Sequence, residues 1–204
     1  MFVAVHCATV VMVIALCMMA VDRPVASWSN AVLLHTPVAR VGELLLWPIH
    51  PFMFAAAALA VAALIRRSRG PVPPWTGRFL GGALAATLAL LVTIVVKLLV
   101  GRSQVFPPFL RDGVYTFHLL RGARDFTAFP SATMAGFGAF LFGIGARGVR
   151  GRFVSALVLG VLAAALIATN GHWLSDIIAG TYAGAVIGVI VRRRAAGTPE
   201  AGGT

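Results

Sequence analysis

Long apolar runs separated by short polar connections make up this chain. Six of the runs approach the roughly 20 residues that a helix needs to cross about 30 Å of hydrocarbon. They fall at about 2–21, 47–65, 79–100, 129–146, 153–171 and 173–191. Pro48, His50 and Pro51 break the start of the second run, so residues 31–47 are expected to form a separate helix at the membrane interface. The first run lacks a basic leading segment and a small-residue cleavage site, and reads as an uncleaved helix rather than a signal peptide. The pattern predicts an all-α, polytopic membrane protein with six transmembrane helices in a single domain over residues 1–194. A Gly-, Ala- and Thr-rich tail at 195–204 is expected to be disordered.

Composition names the solvent. Hydrophobic residues make up 59% and charged residues 11% of the 204, where soluble domains carry about a quarter charged residues. The partner implied is the lipid bilayer. A net charge of +11 raises the question of nucleic acid, but the basic residues sit in short clusters between apolar runs rather than along one polar face. No nucleic-acid partner is therefore expected. Cys7 and Cys17 both lie in the first apolar run, where they act as small hydrophobes.

The arginine clusters orient the helices. Arg66, Arg67, Arg69 and Arg78 follow the second run, Arg147, Arg150 and Arg152 the fourth, and Arg192, Arg193 and Arg194 the sixth. Such loops stay on the cytoplasmic side. Both termini are then cytoplasmic, and the loops at 22–46, 101–128 and 170–172 face the periplasm or cell exterior across an inner (plasma) membrane. One outward loop still carries Arg102, Arg111, Arg121 and Arg124, with Lys97, the one lysine of the chain, just before it. Asp112 and Asp125 offset part of that charge. The remainder is expected to form an anion site.

Three segments on that side carry candidate chemistry. In Asn170-Gly171-His172-Trp173-Leu174-Ser175-Asp176, His172 and Asp176 are four residues apart, a spacing that puts them on one helix face. A carboxylate there can hold one imidazole nitrogen and leave the other free as nucleophile or base. Phe129-Pro130-Ser131-Ala132-Thr133 opens the fourth run. A helix start of that kind points free N–H groups and a positive dipole end outward, a ready seat for phosphate. Lys97-Leu98-Leu99-Val100-Gly101-Arg102-Ser103-Gln104 closes the third run and supplies cations.

Over residues 95–190 these segments resemble the type 2 phosphatidic acid phosphatases, membrane enzymes that share a fold with vanadium haloperoxidases. That family carries, in this order, Lys-x6-Arg-Pro, Pro-Ser-Gly-His and Ser-Arg-x5-His-x3-Asp. Lys97, Pro130, Ser131, His172 and Asp176 match, and the stretch Arg111–Phe117 looks like a loop of the bacterial lipid phosphatases. Gln104 and Val105 replace the first Arg-Pro, Ala132 and Thr133 replace Gly-His, and Ala165 and Leu166 replace Ser-Arg.

The resemblance implies His172 as nucleophile, Asp176 as its partner, and Lys97, Arg102, Ser131, Thr133 and Arg111 as phosphate-binding groups. It implies neither a metal nor another cofactor. The implied activity is that of a membrane lipid phosphatase or phosphotransferase acting on a phosphorylated membrane lipid through a phosphohistidine intermediate. Thr133 cannot donate the proton that the family's second-motif His gives to the leaving oxygen, a loss of about 10²–10⁴ in rate. A lipid or polyprenyl diphosphate, whose leaving group is itself a phosphate, suffers less. His118 in the outward loop is a weak substitute acid. The alternative is a non-catalytic member of the family that binds or moves a phosphorylated lipid, or partners another membrane enzyme.

Overall fold

The computed structural model describes residues 2–70, 73–120, 123–145 and 148–196. Among these no strand forms, and a single isolated bridge pairs Arg102 with Phe117. Helix α1 (Phe2–Leu16) passes through a π-helical turn (Cys17–Val21) directly into α2 (Asp22–Val32). Next come α3 (Pro37–Leu46), α4 (Ile49–Arg67), α5 (Pro74–Val100), a single turn α6 (Leu110–Asp112), α7 (Ala132–Ile144), α8 (Gly148–Ala168) and α9 (Leu174–Ala196).

Five stretches are long and apolar enough to cross a membrane: Val5–Val32, Pro37–Arg66, Trp75–Val100, Gly148–Ala168 and Leu174–Ala195. Helix α7, where the fourth run predicts a span over 129–146, has 13 residues and is a shorter apolar helix. Its chain enters through a bend at Phe129-Pro130 and the extended N-cap Ser131, and Gly145 in the left-handed region ends it. The first run also departs from expectation, continuing eleven residues beyond Val21 as α2. Asp22-Arg23-Pro24 reads as a helix stop, because proline lacks an N–H and its ring collides with the carbonyl four residues earlier. The π turn just before Pro24 absorbs that conflict, the Asp22 N–H reaching back to the Cys17 carbonyl. A separate helix within 31–47 forms as α3, and together with α4 it makes up the candidate span Pro37–Arg66. Ala195 and Ala196 continue α9, and the rest of the expected tail lies outside the described residues.

The bundle is built inside out relative to a soluble protein. Its buried apolar residues are mostly alanines, among them Ala83, Ala85, Ala86, Ala89, Ala135 and Ala139, while leucines, valines and phenylalanines dominate the exposed surface. In lipid, burying large side chains gains little, and close backbone approach is what holds helices together. Helix α9 packs most extensively on α7. Gly180, Gly184 and Gly188 recur every four residues along it and face the α7 backbone. A Cβ built on them would lie 2.4 Å from the Ser131 carbonyl oxygen, 2.3 Å from that of Ala135 and 2.6 Å from that of Ala139. Helix α5 closes on the other side of α7 through Ala85 and Ala89 against Ala135 and Ala139.

All chemistry-bearing segments emerge at one end of the bundle. There the loop after α5 folds back over the helices, with Ser103 N–H on the Thr116 carbonyl (3.0 Å) and His118 N–H on that of Gly101 (2.8 Å). Gly101 makes the turn possible: its φ is +55°, and a Cβ would overlap the His118 carbonyl.

Candidate functional site

Two helix boundaries set His172 in place. Helix α8 ends with Asn170 at φ +51°, where the Gly171 N–H bonds the Leu166 carbonyl (2.8 Å) and the Asn170 N–H that of Ile167 (3.0 Å). This reciprocal pattern is a Schellman cap, and asparagine is one of the few residues besides glycine that adopts its left-handed position. His172 follows, two residues ahead of α9 rather than within it. Asp176, in the first turn, reaches back to the Trp173 N–H (3.3 Å) as the acidic half of a capping box. The same oxygen, Oδ2, lies 3.5 Å from His172 Nδ1. That contact is longer than a formed hydrogen bond, and Nδ1 has no other partner among the described residues. His172 keeps 16% side-chain exposure. With Nδ1 turned to the acid, Nε2 is the nitrogen left to meet a ligand.

The α7 entrance abuts this pair. Ser131 is the N-cap, its Oγ accepting from the Met134 N–H (3.4 Å), and its own N–H donates to the Asp176 carbonyl (3.0 Å). Pro130, expected inside the helix, sits just before the cap. The N–H groups of Ala132 and Thr133, at the first two helical positions, have no intrahelical acceptor. The Thr133 hydroxyl makes no hydrogen bond among the described residues. Lys97, in the last turn of α5, donates to the carbonyls of Thr127 and Ala128, immediately upstream of the same entrance. His172, Asp176, Lys97, Ser131 and Thr133 therefore belong to one region.

Arg102 has partners other than a phosphate. Its side chain is completely buried, as are those of Asp22 and Asp176. One terminal nitrogen, Nη1, donates to Asp176 Oδ1 (2.5 Å) and Ser175 Oγ (2.7 Å). The other, Nη2, donates to Asp22 Oδ2 (2.6 Å) and the Tyr115 hydroxyl (2.8 Å). The guanidinium also lies 5.2 Å from the ring centres of Tyr115 and Trp173. Burial works against its charge, but the two carboxylates outweigh burial and hold it above its ordinary value. Arg111 is 70% exposed and pairs with its neighbour Asp112. No contact joins it to His172. Of the other loop residues, His118 bonds Thr116 through Nε2 (3.1 Å) and rests against Phe126, and Arg121 lies outside the described residues.

Asp22 falls outside the sequence-derived set, yet it completes the cluster. Its Oδ1 accepts the Ser175 N–H (2.9 Å) and its Oδ2 accepts the Ser175 hydroxyl (2.5 Å). A carboxylate thus occupies the positive N-terminal end of α9, the position an anion favours. At α7 the corresponding end is capped by the Ser131 hydroxyl and no carboxylate. The signal available in sequence is an acid at the close of an apolar run, which is rare without a function. Tyr115 joins it to the π turn, donating to the Met18 carbonyl (2.7 Å) that a regular helix would have paired with the Asp22 N–H.

No three of His, Cys, Asp and Glu converge in metal-binding fashion among the described residues. One surface groove is lined by residues that include Arg66, Arg69 and Thr76 and another by residues that include Glu43, Trp47 and Thr169, and neither lining includes a residue of this cluster. The chain matches no protein-family model, no curated protein and no solved structure.

Proposed function

We propose that the chain is a membrane phosphotransferase or phosphatase acting on a phosphorylated lipid, with His172 as nucleophile. The observation that carries this reading is the orientation of His172 Nδ1 toward Asp176 Oδ2, beside an α7 N-terminus with free N–H groups. The resemblance to type 2 phosphatidic acid phosphatases supports the same assignment through Lys97, Pro130, Ser131, His172 and Asp176. In this reading α7 is the sixth membrane helix, both termini are cytoplasmic, and the site opens on the periplasmic or extracellular side.

The substrate class follows from charge. Asp22 and Asp176 neutralise Arg102, so Lys97 and the α7 N–H groups are the groups offered to a phosphoryl oxygen. Thr133 supplies no proton. Such a site suits a lipid diphosphate. His172 Nε2 bonds to the terminal phosphorus, the bridging P–O bond breaks, and the electron pair leaves on the lipid monophosphate. Water then attacks the phosphohistidine, releasing inorganic phosphate and returning the nitrogen lone pair.

The test is phosphate release by the purified protein in nanodiscs from a polyprenyl diphosphate, with phosphatidic acid in parallel. Release from the diphosphate is expected to exceed that from phosphatidic acid, and His172→Ala is expected to lower it by at least about a thousandfold. Equal release by both proteins refutes the mechanism. Saturable lipid binding without release assigns the fold to a non-catalytic lipid-phosphate binder instead.

A further inference from the structure

We propose that Asp22, delivered by the first helix, is a positioning residue for the His172–Asp176 pair and acts through Arg102 and Ser175. The inference rests on the reading of His172 as nucleophile, and concerns what makes its imidazole face the right way.

A carboxylate with two equivalent oxygens has no inherent reason to turn one of them to a histidine. Here Arg102 Nη1 occupies Asp176 Oδ1 and the Trp173 N–H helps fix Oδ2, the oxygen that faces the imidazole. Arg102 could itself close on Asp176 with both terminal nitrogens, the fork geometry that guanidinium and carboxylate favour. Asp22 prevents that by holding Nη2 at 2.6 Å. Ser175 ties Asp22 to Arg102 at the start of α9: its hydroxyl donates to Asp22 and accepts from Arg102, and its N–H donates to Asp22. All three charged side chains are sealed from solvent, so no water competes for these directions.

Charge points the same way. Asp22, Arg102 and Asp176 together carry one net negative charge, which favours a proton on the His172 nitrogen facing them and leaves Nε2 bare. Of the other cations nearby, Lys97 is directed at the Thr127 and Ala128 carbonyls and Arg23 lies over the Tyr115 ring, 5.3 Å from its centre. Replacing Asp22 by its neutral isostere leaves one amide oxygen where two acceptors served Arg102 Nη2 and the Ser175 N–H, which loosens the hold on Nη2 and removes that negative excess. The imidazole then loses both its orientation and its preferred tautomer.

The tautomer is measurable without turnover. In the full chain labelled with ¹⁵N-histidine in nanodiscs, the His172 signals are assigned by their loss in His172→Gln. Wild type is expected to show predominantly the Nδ1-protonated form, and Asp22→Asn a mixture of the two tautomers. Ser29→Ala is the control: Ser29 is equally buried on the same helix and bonds the Ile167 carbonyl, away from Arg102. It is expected to lower stability and leave the His172 signals unmoved. Where Asp22→Asn does not fold, Ser175→Ala, which removes the hydroxyl bridge and keeps both charges, is expected to shift the tautomer in the same direction.

In a protein that releases phosphate, Asp22→Asn should lower kcat by about ten- to a hundredfold with KM little changed, the usual scale for an outer partner of a functional imidazole. An unchanged tautomer in Asp22→Asn, or an equal change in Ser29→Ala, overturns the proposal. A tautomer shift in a protein that releases no phosphate sustains the positioning role and removes the phosphatase reading instead.

Discussion

Gly180→Ala tests whether the α7–α9 contact sets the site as well as the fold. The added methyl would stand 2.4 Å from the Ser131 carbonyl oxygen, against about 3.4 Å for ordinary contact, so the helices must part by about 1 Å at this level. Neither side can yield locally. The oxygen belongs to the backbone and already accepts the Ala135 N–H at 3.0 Å. A 1 Å opening also stretches the Ser131 N–H bond to the Asp176 carbonyl from 3.0 Å to near 4 Å, beyond hydrogen-bond range. Overpacking of this kind costs about 1–3 kcal/mol, and the lost bond about 1 kcal/mol more. At about 2–4 °C per kcal/mol for a chain of this size, unfolding should come roughly 5–15 °C earlier. Thermal unfolding in detergent, followed through tryptophan fluorescence, reads this directly. Gly160→Ala, where a Cβ meets nothing within 4 Å, is the matched control and should leave the transition in place or raise it. A Gly180→Ala protein that unfolds with the wild type would refute the idea that backbone contact at Ser131 holds these helices.

Three further outcomes follow from the same geometry. Arg102→Gln leaves Asp22 and Asp176 buried without a cation and should destabilise by about 3–5 kcal/mol in denaturant titration. Burial raises the Tyr115 phenol above its ordinary value of 10.0, against the pull of Arg102 and with the help of Asp22. A raised folded pKa stabilises below the unfolded value and is lost as pH climbs through the folded one, so wild type should lose stability above about pH 10, and Tyr115→Phe should lose less over that range. Cysteines at exposed Leu119 and Val149 should label oppositely with an impermeant thiol reagent in whole cells, Leu119 reacting and Val149 protected; the reverse pattern would invert the proposed orientation.

The helices were legible because uninterrupted apolar length is a direct physical requirement of the bilayer. Their ends were less so. Pro24 reads as a stop, and only the π turn before it shows how the helix continues to Val32. The His172–Asp176 spacing pointed to a real proximity, although His172 precedes the helix rather than riding on it. Arg102 and Asp22 were opaque for a common reason: sequence locates a charge but not its partner, and these two meet across 80 residues. Gly180, Gly184 and Gly188 form a four-residue series that the sequence reading did not single out. What it packs against required the fold.

The position of Asp22 has a consequence for biosynthesis. Asp22 leaves the ribosome before both of its partners, Arg102 following 80 residues later and Ser175 153 residues later. At about 5–20 residues per second, roughly 8–30 s pass between the synthesis of the acid and that of its last partner. Until Arg102 is made, the nascent helix holds a carboxylate without its buried cation, at a cost that a bilayer does not waive. The acid gains its charge partner with the segment after α5 and its remaining hydrogen bonds only with α9, so the Asp22 cluster closes late in synthesis.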